Sequence, residues 1–202
     1  MRIAEEPYET IQGEGVLVGT PVLIIRLSGC QLRCSYCDTK FSWDEGTEIP
    51  DDEIIKIVKR TDKDWIMFSG GEPLEPFKIQ SITKVIRAVK EKYYTVETNG
   101  VNHEFDRGLF NVITVSPKTE ADAKYWYEQK DRNKNIYIKV VTDLRSVGLN
   151  LIKYADYLMP LTTFNEGRDI EIKRRVWWYC VKHNIKYSPR LHVDLFGNKR
   201  KV

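Results

Sequence analysis

The stretch Val22-Leu23-Ile24-Ile25-Arg26-Leu27-Ser28-Gly29-Cys30-Gln31-Leu32-Arg33-Cys34-Ser35-Tyr36-Cys37 decides the fold. Its first six residues are apolar apart from Arg26 and rich in β-branched types, which marks a buried strand. Three cysteines within eight residues follow at once. The same order, an apolar run and then a chemically rich loop, recurs along the chain. Trp65 to Phe68 leads into Ser69-Gly70-Gly71-Glu72-Pro73. Tyr94 to Glu97 leads into Thr98-Asn99-Gly100, and Val112 to Val115 into Ser116-Pro117-Lys118. Ile136 to Val141 and Tyr157 to Met159 read as two further strands. Helical stripes lie between several of these runs. Ile54, Ile55, Ile57 and Val58 form one, with Asp51 or Asp52 expected as N-cap after Pro50. Ile79, Ile82, Val85, Ile86 and Val89 form a second, and a late helix is expected from about Ile170 to His183. Strands alternating with helices predict parallel βα units. A parallel barrel opens the carboxyl ends of its strands on one face, where sites are built. Six strands therefore predict an α/β fold, an incomplete, partial TIM-like barrel, in a single domain over residues 1–202. Residues 102–135 are polar, aromatic and charged, and beyond the Val112 strand they carry no pattern that divides into elements.

The composition is that of a globular protein, 42% hydrophobic and 30% charged over 202 residues. A net charge of +3, with both signs mixed along the chain, argues against a nucleic-acid partner. There is no apolar run of about 18 residues and no signal peptide, so neither membrane nor export is expected. Clustered cysteines in a chain of this length are unlike a disulfide framework and fit a reducing, cytoplasmic compartment.

Three thiolates on one short loop can bind three irons of a 4Fe–4S cubane and leave the fourth iron for an outside ligand. The amine and carboxylate of S-adenosylmethionine (SAM) are suited to that corner. Spacing alone leaves two alternatives open. Zinc could take a fourth ligand from His103, His183 or His192. Cys34 and Cys37 could form a redox pair, which leaves Cys30 idle. Cys180 sits in the apolar run Val176-Trp177-Trp178-Tyr179-Cys180-Val181 and reads as a buried, inert thiol.

The cysteine spacing, with Tyr36 before the last cysteine, resembles the radical SAM superfamily. Gly70-Gly71-Glu72-Pro73 resembles its second motif, where paired glycines let backbone approach the SAM amine. More narrowly, Tyr8-Glu9-Thr10-Ile11-Gln12-Gly13-Glu14-Gly15, Arg26, Cys37-Asp38-Thr39, Glu97-Thr98-Asn99-Gly100 and Ser116-Pro117-Lys118 together resemble the 7-carboxy-7-deazaguanine synthase family. The likeness runs from Tyr8 to the Gly197-Asn198-Lys199-Arg200 segment. It implies conversion of 6-carboxy-5,6,7,8-tetrahydropterin to 7-carboxy-7-deazaguanine with loss of ammonia, in the pathway to queuosine and related deazapurines.

The resemblance also implies roles for residues. Cys30, Cys34 and Cys37 would hold the 4Fe–4S cluster, and the hydroxyl of Thr39 would ligate Mg²⁺. SAM would be bordered by Tyr36, Cys37, Asp38, Gly71, Glu97, Asn99, Ser116, Pro117 and Lys118, and by Met159-Pro160-Leu161-Thr162. That last segment departs from the family pattern, which often has glutamine before the proline. Ile11, Gln12, Gly13, Glu14, Arg26, Ser69 and the terminal Val202 would contact the pterin. Hydrogen-bonding groups such as Gln12 and Glu14 suit a pterin edge, and a guanidinium suits its carboxylate. A flavodoxin as electron donor and a homodimer are further implications. The competing readings are a glycyl-radical activating enzyme, which the Gln12–Gly15 segment and Thr39 disfavour, and a non-catalytic zinc-binding module.

Overall fold

The computed structural model describes residues 1–202. In chain order its elements are β1 (Arg2–Ile3), β2 (Tyr8–Ile11), β3 (Pro21–Leu27), β4 (Thr47–Glu48), α1 (Asp51–Arg60), β5 (Trp65–Gly70), α2 (Pro76–Ala88), β6 (Tyr93–Thr98), β7 (Val112–Val115), α3 (Glu120–Gln129), β8 (Ile136–Thr142), β9 (Tyr157–Pro160), α4 (Glu166–His183), β10 (Lys186–Tyr187) and α5 (Leu191–Phe196). Each of the six apolar runs is a strand. The chain divides into two compact units. The first holds residues 1–10, 21–98 and 102–113, and the second holds 11–20, 99–101 and 114–202.

In the first unit β4, β1, β3, β5 and β6 lie side by side in that order, with β2 also paired to β3. β3, β5 and β6 are parallel, with Val22 opposite Trp65, Leu27 opposite Gly70, and Phe68 opposite Val96. β1 pairs antiparallel with β3 and β4. Val22 to Ile25 and Ile66 to Phe68 are buried without alternation, because a parallel strand is covered on both faces. Ile54 and Val58 of α1, and Ile82 and Val85 of α2, are fully buried, as their helical spacing predicts. The α1 cap differs from expectation. Pro50 takes the N-cap position, and Asp51 and Asp52 lie inside the first turn. There they oppose the partial positive charge of the helix end and serve other partners, Asp51 the Met1 ammonium at 3.2 Å and Asp52 Lys84 at 2.9 Å.

In the second unit β8, β9 and β10 are parallel, with Lys139 opposite Tyr157 and Tyr157 opposite Lys186. Ile136, Ile138, Val140 and Leu158 form the core, together with Trp126 of α3 and Ile172 and Val176 of α4. The Trp126 indole donates to the Gly100 carbonyl at 2.7 Å. Gly100 has φ +80°, and a Cβ there would fall 2.8 Å from the indole nitrogen, so only glycine fits. Asp143, after β8, accepts the backbone N–H groups of Arg145, Ser146 and Val147 at 2.8–3.0 Å. Burial alone would raise its carboxyl, but those amides hold it well below the usual carboxylate range. α3 lies within the stretch that the sequence left undivided and takes up about a third of it. Thr119 caps it, accepting from the Asp122 amide at 3.1 Å. Cys180 of α4 is buried, as expected of an inert thiol.

Candidate active site: the cysteine loop and the paired-glycine turn

The register of β3 against β5 sets the geometry of the first unit. Leu27 opposite Gly70 brings the two carboxyl ends level. The hydrogen bonding then continues beyond the strands, Gly71 N donating to Leu27 O at 2.8 Å and Glu72 N to Gly29 O at 2.7 Å. The loop that begins at Cys30 and the Gly70-Gly71-Glu72-Pro73 turn are thereby tied together. Gly70 has φ +116°. A Cβ on Gly71 would lie 1.9 Å from the Gly29 carbonyl oxygen, in backbone that cannot swing aside. Gly71→Ala is therefore expected to destabilise the protein by about 1–3 kcal/mol through overpacking, read as a lowered midpoint in urea unfolding. Glu72 is fully buried, and its Oε1 accepts from Leu74 N at 2.9 Å and from the Thr98 hydroxyl at 2.6 Å.

Cys30, Cys34 and Cys37 are all half-buried on this loop. Cys37 N donates to Cys34 O at 3.1 Å, and the Cys37 sulfur lies 3.6 Å from the Thr39 hydroxyl. The loop returns to its root through Gly29 N, which donates to Ser42 O at 2.8 Å. Burial, then the neighbouring thiols of Cys34 and Cys37, push the Tyr36 phenol up. No three His, Cys, Asp or Glu side chains converge as ligands of one ion. A cubane asks for a different donor set, one thiolate at each of three separate irons. Three accessible thiols on a single loop, rooted beside a glycine turn that admits close approach, fit that group. Asp38 is exposed and Thr39 half-buried.

The remaining expected residues of the first unit are Arg26, Ser69 and Glu97. Arg26 Nε donates to Glu5 at 2.6 Å, and its Nη2 donates to the Tyr8 hydroxyl at 3.2 Å. Burial would lower the guanidinium, but Tyr8 and then Glu5 hold it raised and charged. Ser69 and Glu97 lie at the carboxyl ends of β5 and β6 and are half-buried.

The second unit holds the other expected residues. Gln12 and Gly13 are buried, and Gly13 N donates to the Gln12 side-chain carbonyl at 3.0 Å. Glu14 faces three cationic or protonatable groups, Lys139 at 2.7 Å, Arg190 at 3.0 Å and His192 at 3.7 Å. Burial would raise the Glu14 carboxyl, but Lys139, Arg190 and His192 together hold it far below the usual range. Leu191 N donates to Gly13 O at 3.1 Å, and Gly15 N donates to the Ser188 hydroxyl at 2.8 Å. These bonds anchor the segment against the start of α5. Ile11 is exposed. Asn99 accepts from Val101 N at 3.0 Å, and Lys118 donates to the Ser116 carbonyl at 2.5 Å. Pro117, Met159, Pro160 and Leu161 are buried, Thr162 is half-buried, and Leu161 N donates to Thr142 O at 2.9 Å. Val202 is half-buried. The sequence reading missed Lys139 and Arg190, although a lysine inside the apolar run Ile136 to Val141 signals a buried partner.

A cysteine loop after a buried parallel strand, tied to a Gly-Gly-Glu turn at the end of the next, defines the class: the chain belongs to the radical SAM superfamily, which matches residues 24–171. Two relatives, both 7-carboxy-7-deazaguanine synthases, narrow this. The one from Thermoplasma acidophilum is 32% identical, with 96% of each chain covered. That from Rhodopirellula baltica is 35% identical, covering 98% of this chain and 88% of its own. The chain belongs to the 7-carboxy-7-deazaguanine synthase family. The crystal structure of QueE from Escherichia coli matches 95% of this chain and 94% of its own at TM-score 0.71 and 19% identity. That likeness shows the fold, the open α/β arrangement of mostly parallel strands that the sequence predicts. No helix is long and apolar enough to cross a membrane.

Proposed function

We propose that the protein converts 6-carboxy-5,6,7,8-tetrahydropterin to 7-carboxy-7-deazaguanine with release of ammonia, supplying deazapurine biosynthesis such as that of queuosine. The observation that carries this reading is the junction of Gly29–Cys30 with Gly71–Glu72, joined to membership of the synthase family. When bound, the cluster and SAM would supply 5′-deoxyadenosyl radical chemistry, directed at the pterin carbon that bears the carboxylate.

The chain's residues then have distinct tasks. Cys30, Cys34 and Cys37 would hold the cluster, and the Gly71 backbone would meet the SAM amine. Tyr36, Asp38, Glu97, Asn99, Ser116, Pro117 and Lys118 border SAM, as do Met159 to Thr162. Methionine at 159 packs on an apolar face where glutamine would hydrogen-bond. The Thr39 hydroxyl is a hard oxygen ligand of the kind Mg²⁺ takes beside retained waters, and the metal would orient the substrate carboxylate. Ile11, Gln12, Gly13, Glu14, Ser69 and Val202 contact the pterin. Arg26 has two of its five N–H groups committed to Glu5 and Tyr8, and the remaining three would serve the substrate carboxylate.

A flavodoxin delivers the electron, and the enzyme works in the cytoplasm. It pairs as a homodimer, for which α4 offers exposed Ile170, Trp177, Trp178 and Val181. The test is anaerobic turnover. Reconstituted protein with SAM, dithionite, Mg²⁺ and the pterin should yield the deazaguanine acid, identified by mass. An intact cluster that binds SAM and gives no product would refute the substrate while sparing the superfamily chemistry.

A further inference from the structure

Lys78 stands where a helix disfavours a cation. It lies in the first turn of α2, against the partial positive charge of the helix end, and it is 5% exposed. A buried ammonium persists only with its hydrogen bonds made. Lys78 has three N–H donors and makes three contacts, to Gly29 O at 2.7 Å, Glu72 O at 2.9 Å and Glu75 Oε2 at 2.8 Å. Glu75 occupies the N-cap position of α2 yet makes no side-chain cap bond, its carboxylate being held by this lysine. The two carbonyls belong to the residue before Cys30 and the residue after Gly71. Gly29 O already receives Glu72 N, so the lysine is not needed to satisfy it. Local rules broken at several levels at once mark a position kept for a purpose beyond folding.

We propose that Lys78 is a positioning residue that clamps the root of the cluster loop to the glycine turn, so that the cluster's open iron and the backbone meeting the SAM amine stay in register. This rests on the reading of the first unit as a cluster and SAM site. In the metal-free full chain, Lys78→Met should speed amide hydrogen exchange at Gly71 and Glu72 by about tenfold, with Ile66 to Phe68 keeping their protection. In anaerobically reconstituted protein the same variant should keep its iron and sulfide and lose about tenfold in SAM affinity, and Lys78→Arg should restore most of it. Unchanged exchange with unchanged SAM affinity would overturn the proposal. Protection lost along the whole of β5 would overturn it too, since that marks an ordinary folding role. Should Lys78→Met not fold, Lys78→Gln, which retains a donor, is judged by the same two measurements. A parent chain that holds its cluster and binds no SAM would refute the underlying reading, a result separable from failure of the clamp.

Discussion

Alanine in place of Glu14 is expected to destabilise the second unit by about 3–5 kcal/mol, the usual cost of removing one partner from a buried ion pair. Lys139 and Arg190 are 4% and 6% exposed, so the charges left behind have little water to turn to. Glu14→Gln, which keeps the shape and loses the charge, should recover a minor part of that loss. Urea unfolding checks both. The pH dependence follows from the sign of the shift. Lys139, Arg190 and His192 depress the Glu14 carboxyl in the folded state. Its stabilisation is therefore complete above the unfolded carboxylate value, about 4.3, and is lost as pH falls below it. The alanine variant should show a shallower decline of stability on the acid side than the parent.

The second large effect falls on the loop thiols. Alanine at Cys30, Cys34 or Cys37 should cut turnover by about a thousandfold or more, since radical chemistry is the cofactor's and ends when its ligand set is broken. Anaerobic iron and sulfide analysis beside the turnover assay should show cluster content falling with activity. Cys180→Ala is the control. Its sulfur belongs to the core of the second unit, so it should keep full iron content at a stability cost of about 1 kcal/mol. Equal loss of iron in all four variants would refute the assignment of ligands.

The parallel strands could be read from the sequence because burial on both faces leaves uninterrupted apolar runs, and Val22 to Leu27 is the clearest of them. β1, β4 and β10 could not. Each has two residues, and a pair such as Arg2–Ile3 becomes a strand only through its partners, here Leu27 and Glu48. α3 escaped for another reason. It buries only Ala123 and Trp126, so its apolar stripe is faint. Its one clear sequence signal was the spacing of Thr119 and Asp122, an acid three residues after a capping hydroxyl. At the site, the glycine and cysteine motifs are local in sequence and legible. The grouping about Glu14 is not, because Lys139 and Arg190 lie 125 and 176 residues further along the chain. Lys78 was hidden by the α2 stripe around it, as sequence alone cannot tell a buried ammonium from a solvated one.

Burial of the fourth cysteine has a practical corollary at the bench. Its thiol is pushed up to about 11 by its surroundings, so at neutral pH it offers almost no thiolate to an electrophile. An alkylating reagent given to the folded, metal-stripped chain should mark the accessible sulfurs and pass over this one. Under the proposed assignment the stripped chain should gain three adducts and a reconstituted sample fewer, which makes incomplete loading measurable without any assay of turnover.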